Sequence, residues 1–217
     1  MDYEQAVENF YKSVLKEGDI AVDCGAHTGR HTRPMSDLVG DAGHVYAFEP
    51  LPAPFKTLEE SVAERSNLTL HNCALGSSAG TVPFVYVPQF PEYSGFRERI
   101  YHDDALERQS IMVSVVRLDD AVPSRPIRYI KIDAEGGDLT ILRGAERHLR
   151  FSRPYVTFEC GDNSIKNYDY TSADYFDFFD RIGYGISTIL GDKLDRAAFI
   201  ESSAVQQVWD YIASPKS

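Results

Sequence analysis

Apolar positions at Val7, Phe10, Tyr11, Val14 and Leu15 recur at helical spacing, so the chain opens with one amphipathic helix over residues 3–16, ended by Gly18 and Asp19. An alternation then sets in: an apolar run at 20–25, a helix-compatible stretch at 28–38, a second apolar run at 44–50, and a helix over about 54–65. A third strand is expected at 68–74. The alternation breaks there, because 81–87 and 110–118 look like strands flanking a polar stretch without helical period, and 77–117 reads as a β insertion after strand three. It resumes with a strand at 127–133, a helix at 138–149, a strand at 154–160 and a helix at 172–183, and strands near 184–190 and 208–213 close the sheet. This pattern predicts one α/β domain over 1–217, doubly wound on a mostly parallel sheet, with ligands in the loops after the strands.

The composition narrows the ligands. Of 217 residues, 43% are hydrophobic, enough for one full core, and 22 basic residues stand against 33 acidic ones for a net charge of −11. That balance disfavours a phosphodiester backbone, so nucleic acid is not an expected partner. No apolar stretch approaches the ~20 residues of a membrane span. The opening MDYEQAVENFYKSVLKEGD lacks the basic end and apolar run of a signal peptide, so a cytoplasmic protein without membrane insertion is expected. Cys24, Cys73 and Cys160 are odd in number and sit in or beside apolar runs, which reads as buried free thiols.

The loop after the first strand, Asp23-Cys24-Gly25-Ala26-His27-Thr28-Gly29, is a glycine turn with an acid at the strand end. A dinucleotide fold wants G-x-G-x-x-G, since pyrophosphate approaches the backbone where a Cβ intrudes; His27 and Arg30 occupy the second and third glycine places. S-adenosylmethionine has no pyrophosphate, its methionine part needs a close backbone turn, and its ammonium suits an acid such as Asp23. Glu49 follows Gly25 by 24 positions, close to the ~20 expected of a carboxylate that accepts from a ribose diol. Cys73 and Ala74 offer small side chains where an adenine edge would rest.

These segments together carry a resemblance. Through VDCGAHTGRHT at 22–32, VYAFEP at 45–50, NCALGSSAGTV at 72–82, VRLDD at 116–120, IKIDAEGGDLTILRGA at 130–145 and TFECG at 157–161, the chain resembles the FkbM family of methyltransferases. The resemblance implies a class I methyltransferase (Rossmann-like) fold with a seven-stranded sheet, S-adenosylmethionine as cofactor, and O-methylation, often of sugar or polyketide-derived hydroxyls. By position it implies that Asp23, Gly25, Ala26, His27, Gly29 and Thr32 form the methionine-side loop, Phe48, Glu49 and Pro50 the ribose and adenine clamp, and Asp133 the acid beside the transferable methyl. The family more often has asparagine at position 27 and glutamate at 138, where this chain has His27 and Asp138.

Methyl transfer to a neutral hydroxyl needs an aligned oxygen and a base within hydrogen-bond reach. Asp133 and Glu135 follow the fourth parallel strand and Glu159 ends the fifth, so the three are the expected catalytic carboxylates. Other roles stay open: Asp133 on the cofactor's amino group, Glu135 capping the tight turn, Glu159 paired with an arginine, or His27 as the base. No metal site is expected: His27 and His31 lack further ligands, and magnesium on Asp133, Glu159 or Asp162 is the less favoured alternative. Within the insertion, Tyr93, Phe96, Arg97, Arg99 and Tyr101 are assigned to a small hydroxylated acceptor, with a surface loop or homodimer arm as the competing reading. The first helix is either a lid over the cofactor or a pack against the sheet. A nucleotide-dependent oxidoreductase and a non-catalytic cofactor-binding protein remain the alternative functions.

Overall fold

The computed structural model describes residues 2–98 and 105–216. Helix α1 (Tyr3–Val14) precedes β1 (Ile20–Cys24), α2 (Thr32–Val39), β2 (His44–Phe48), α3 (Pro52–Ser61) and β3 (Leu68–His71). The excursion follows as β4 (Ala74–Leu75), β5 (Gly80–Tyr86), a 3-10 turn at Pro91–Tyr93 and β6 (Gln109–Val116). Next come α4 (Leu118–Ala121), β7 (Tyr129–Ile132), α5 (Asp138–Gly144), α6 (Glu146–Ser152), β8 (Tyr155–Glu159) and α7 (Asp162–Ile165). The chain ends with α8 (Ser172–Arg181), β9 (Tyr184–Thr188), β10 (Lys193–Leu194), α9 (Arg196–Ala204) and β11 (Asp210–Pro215).

The main sheet has the order β10-β9-β11-β8-β7-β1-β2-β3. Strands β3, β2, β1, β7 and β8 run parallel, while β11 lies antiparallel between β8 and β9. The seven expected strands are present, and the two-residue β10 adds an eighth at the edge. The order in which strands are added reverses between β1 and β7, which opens the crevice of a doubly wound sheet above their carboxyl ends. One face buries Val22, Ile130 and Phe158 beneath α5 and α8, and the other buries Ala21, Val45 and Tyr129 beneath α1 and α2. The strands are therefore apolar on both faces, as parallel strands covered by helices must be.

Three expected boundaries shift. The run 68–74 is two strands, because the Asn72 side chain donates to the carbonyls of Glu49 and Pro50 at 2.9 and 3.3 Å and turns the chain out of the main sheet. The helix expected at 138–149 breaks at Ala145 into α5 and α6. The insertion is a separate three-stranded sheet, β4-β6-β5, with β6 parallel to β4 and antiparallel to β5. Cys24, Cys73 and Cys160 are buried free thiols.

Helix α1 packs on the sheet rather than standing off it. Val7 and Tyr11 are buried, and the His31 ring, at the start of α2, hydrogen-bonds Glu4 through Nε2 and the Tyr11 hydroxyl at 3.3 Å through Nδ1. The His31 contact holds the Glu4 carboxyl down at about 2 against the opposing effect of burial.

Candidate active site

The first loop is built from positive-φ residues. Gly25, His27 and Gly29 have φ of 81°, 47° and 93°, a run that ordinary side chains resist. The amides of Gly25 and Ala26 both donate to the Phe48 carbonyl at 3.0 Å, and the Asp133 amide donates to the Cys24 carbonyl at 3.0 Å. The loop is thus pinned between the ends of β2 and β7. A Cβ on Gly25 would stand 2.0 Å from the Asp133 carbonyl oxygen, so glycine is required where the two loops touch.

Glu49 is fixed at the adjoining strand end. Its carboxyl accepts from the His27 amide at 2.9 Å and the Leu51 amide at 2.8 Å, and it is 4% exposed. Burial outweighs those two hydrogen bonds and pushes the carboxyl up to about 7. Each oxygen keeps a lone pair beyond its amide contact.

A cleft of about 250 Å³ opens here, above the switch point of the sheet. Of the residues expected to hold a cofactor, Gly25, His27, Phe48, Glu49, Pro50, Cys73, Ala74 and Asp133 line it. Asp23, Ala26, Gly29 and Thr32 do not; they act on the loop itself. Thr32 donates its hydroxyl to Asp23 Oδ2 at 2.7 Å, and Asp23 is fully buried with Oδ1 unpartnered. Gly29 faces Leu58 and Ser61 of α3, where a Cβ would come within 2.9 Å.

Asp133, Glu135 and Glu159 all line the same cleft, so the three expected catalytic carboxylates do converge. Their environments differ. Lys131 is 5% exposed and donates to Asp133 Oδ2 at 3.0 Å. Burial alone would discharge it, but Asp133 and Asp23 overcome that and raise its pKa. Glu159, at the end of β8, has no ion-pair partner among the described residues; burial and the charges of Asp133, Glu135 and Asp210 push its carboxyl well above the ordinary range. Glu135 sits at φ 50° in the tight turn before Gly136.

Several site residues escaped the sequence reading. Asp138 is fully buried and accepts from the Ala134 and Glu159 amides at 3.3 and 3.0 Å, tying the β7 loop to the end of β8. Burial and Asp133 push its carboxyl up to about 7. Asp210 opens β11 opposite Glu159, and burial with the nearby Asp133 raises it to about 8. Lys131 precedes Asp133 by two positions, and its charge inside an apolar strand gives no local sign of a place in the site. Leu51, Phe84 and Ile141 add apolar walls.

Of the expected acceptor residues, Phe96 lines the cleft and meets Phe84 edge-on at 5.4 Å, while Tyr93 stacks on Phe90 at 5.4 Å and, like Arg97, is absent from the walls. Arg99 and Tyr101 lie outside the described residues. His31 is engaged by Glu4 and Tyr11, and among the described residues no group of three or more His, Cys, Asp or Glu is arranged around a metal position.

A glycine cradle at a switch point, followed by a buried carboxyl at the next strand end, is a nucleoside-binding arrangement. The profile of the methyltransferase FkbM domain matches residues 23–185. The chain belongs to the FkbM methyltransferase family. It is 28% identical over 165 residues to 31-O-demethyl-FK506 methyltransferase FkbM of Streptomyces tacrolimicus, covering 61% of each chain. A solved FkbM methyltransferase from Methylobacillus flagellatus KT superposes with a TM-score of 0.55 at 20% identity, over 98% of this chain and 54% of that one. A putative methyltransferase from Streptococcus mutans, solved with S-adenosylhomocysteine, superposes with a TM-score of 0.52 at 12% identity, over 97% and 96% of the two chains. These likenesses establish the class I methyltransferase fold. This FkbM-family chain spans 57–66% of the length of the curated relatives it matches.

The residues fit S-adenosylmethionine on the structure's own terms. His27 lines the cleft with a buried Nε2 that has no partner among the described residues, Glu49 keeps acceptor capacity, and the Gly25 turn brings the backbone itself to the cleft wall.

Proposed function

We propose that this FkbM-family chain is an S-adenosylmethionine-dependent O-methyltransferase acting on a hydroxyl of a small acceptor, of sugar or polyketide type. The observation that carries the reading is the convergence of Asp133, Glu135 and Glu159 on one cleft of about 250 Å³, with Asp133 held by Lys131 and the Glu159 carboxyl raised well above the ordinary range. The relative from Streptomyces tacrolimicus, whose name specifies O-methylation, supports it.

S-adenosylmethionine, when bound, supplies an electrophilic methyl group on a sulfonium. The chain's own work is to hold, align and deprotonate. Glu49 accepts from the ribose hydroxyls, the 25–29 loop receives the methionine part, and Cys73 and Ala74 leave room for the base. Asp133, kept beside Lys131, positions the donor end. Glu159 takes the proton from the acceptor hydroxyl as the oxygen attacks; its raised pKa brings its basicity nearer to that task than an ordinary carboxylate's. The net charge of −11 favours small acceptors over nucleic acid.

The test is product analysis. Incubation with S-adenosylmethionine and a panel of hydroxylated glycosides and polyketides should release S-adenosylhomocysteine and leave an O-methyl signal in the product NMR spectrum. Methyl groups found on nitrogen or carbon alone, or methylation of RNA with no small acceptor modified, would sink the proposal.

A further inference from the structure

A second cavity, of about 190 Å³, lies between α1 and the crevice ends of β7, β8 and β11. Tyr3 and Val7 of α1 form one side, Lys131 and Glu159 another, and Trp209 and Asp210 the third. Glu4, Asp133 and Glu159 line this space and the cofactor cleft alike, so the two cavities meet at the carboxyls assigned to methyl transfer. We propose that the second cavity is the acceptor site and that it takes a hydroxyl-rich ring carrying no anionic group. The proposal rests on the reading of the first cleft as the methyl-donor site.

Position is the first argument. In a displacement reaction the acceptor oxygen and the donor approach the same point from opposite sides, and the shared wall is that point. The donor-side residues are Gly25, Glu49 and Ala74, none of which reaches the second cavity.

Chemistry is the second. Lys131 is 95% buried, lines the cavity, and spends one of its three ammonium donors on Asp133 among the described residues. Asp210 and Glu159 are paired across the β8–β11 ladder at the cavity wall and present carboxyl oxygens. Tyr3 and Trp209 add aromatic surface beside them. A polyol ring uses both: hydroxyls donate to carboxyls and accept from lysine, and ring C–H faces cover the aromatic groups. An anion meets Glu4, held ionised by His31, and, as pH rises through about 8, Asp210 as well, with the lysine already engaged by Asp133, and is repelled.

The insertion is the third. Its residues Pro91, Ser94 and Phe96 line the cofactor cleft, and none of its described residues lines the second cavity. The proposal therefore gives acceptor contacts to α1 and the start of β11.

The chain contains one tryptophan, Trp209, so its fluorescence, excited at the red edge beyond tyrosine absorption, reports on this cavity. The experiment titrates the full chain, saturated with S-adenosylhomocysteine, with methyl glucoside, myo-inositol and glucuronate while Trp209 emission is followed. The two neutral polyols should change the emission saturably, and glucuronate should bind at least about tenfold more weakly, the ratio that ~1.4 kcal/mol of repulsion gives. Val7→Phe, which fills the cavity from α1, should abolish the response with S-adenosylhomocysteine affinity unchanged. Should Val7→Phe fail to fold, Asp210→Asn serves instead, with polyol binding weakened roughly 3- to 10-fold as for a lost hydrogen bond. No saturable response to either polyol, equal binding of glucuronate, or a response indifferent to these variants overturns the assignment. The titration involves no turnover, so its failure is distinct from failure to find an O-methyl product.

Discussion

Gly25 is the residue at which the site tolerates least. Its φ of 81° and the 2.0 Å approach of a hypothetical Cβ to the Asp133 carbonyl act together. Gly25→Ala should cost about 1–3 kcal/mol through backbone conformation alone and force the 25–29 loop away from β7, with loss of S-adenosylhomocysteine binding. Calorimetry on the refolded variant checks this; an unchanged affinity would show that the loop is not the cradle. The same conformational argument accounts for position 27, since φ 47° is a left-handed setting where asparagine, the family's commoner residue, is enriched and histidine tolerated. Glu159 carries the complementary prediction about chemistry. A base works as its carboxylate, and Glu159 is raised well above the ordinary value, so kcat/KM should still be climbing at pH values where an ordinary carboxylate is already fully ionised. Glu159→Gln should lower kcat by about 10²- to 10⁴-fold and flatten the alkaline climb. A variant with the wild-type pH profile would move the base elsewhere, with His27, unpartnered at Nε2, next in line.

At the scale of elements, the cofactor cleft depends on where the small sheet meets the large one. Gly144 near the end of α5 abuts the carbonyl of Gly76, just after β4, so closely that a Cβ would stand 2.0 Å from it. Gly144→Ala should therefore overpack this junction by about 1–3 kcal/mol and push β4 outward. Because Cys73, Ala74 and Leu75 line the cleft, the variant should lose affinity for S-adenosylhomocysteine along with thermal stability, measured by calorimetry and melting. Lost stability at full affinity would mean that the two sheets are not coupled there. The elements also explain what the sequence revealed and what it withheld. Gly25, Glu49, Asp133 and Glu159 follow or end parallel strands, so apolar runs and the turns after them located all four. Asp210 sits at the amino end of β11, and an antiparallel strand brings its amino end, not its carboxyl end, to the crevice. A search of loops after strands passes over it. Glu4 and Lys131 were hidden for related reasons: one reaches the site from a helix packed across the sheet, and the other is a charged residue inside a strand buried on both faces. Local pattern carries no record of either approach.

Across the whole molecule, the crowding of carboxyls at one crevice sets how folding responds to pH. In the unfolded chain these groups titrate near ~4. In the folded protein Glu49 and Asp138 are raised to about 7 and Asp210 to about 8, with Glu159 also raised. Between those limits the folded state binds more protons than the unfolded one, so stability falls as pH rises through the window. Glu4 and Glu146 act in the opposite sense. Held down at about 2 by His31 and by Arg181 respectively, they contribute stability that is present above the unfolded pKa and lost as pH drops through ~4 toward 2. Glu146 is a surface pair with a small share. The cofactor-free protein should therefore melt highest near pH 5 and lose stability steadily toward pH 8. Asp210→Asn removes one of the proton-retaining groups without altering the fold of β11. It should raise Tm at pH 8 by several degrees, at ~2–4 °C per kcal/mol for a chain of this size, and leave Tm at pH 5 nearly unchanged. Melting curves at the two pH values decide the matter, because an equal shift at both would assign the gain to packing rather than to protons. The cost of this crowding has a functional counterpart: the sulfonium and ammonium of S-adenosylmethionine bring positive charge to the same carboxyls, lower their pKa values and expel protons on binding. Calorimetric binding in buffers of different ionisation enthalpy near pH 7 should show that proton release, and its absence would separate the acid cluster from the cofactor site.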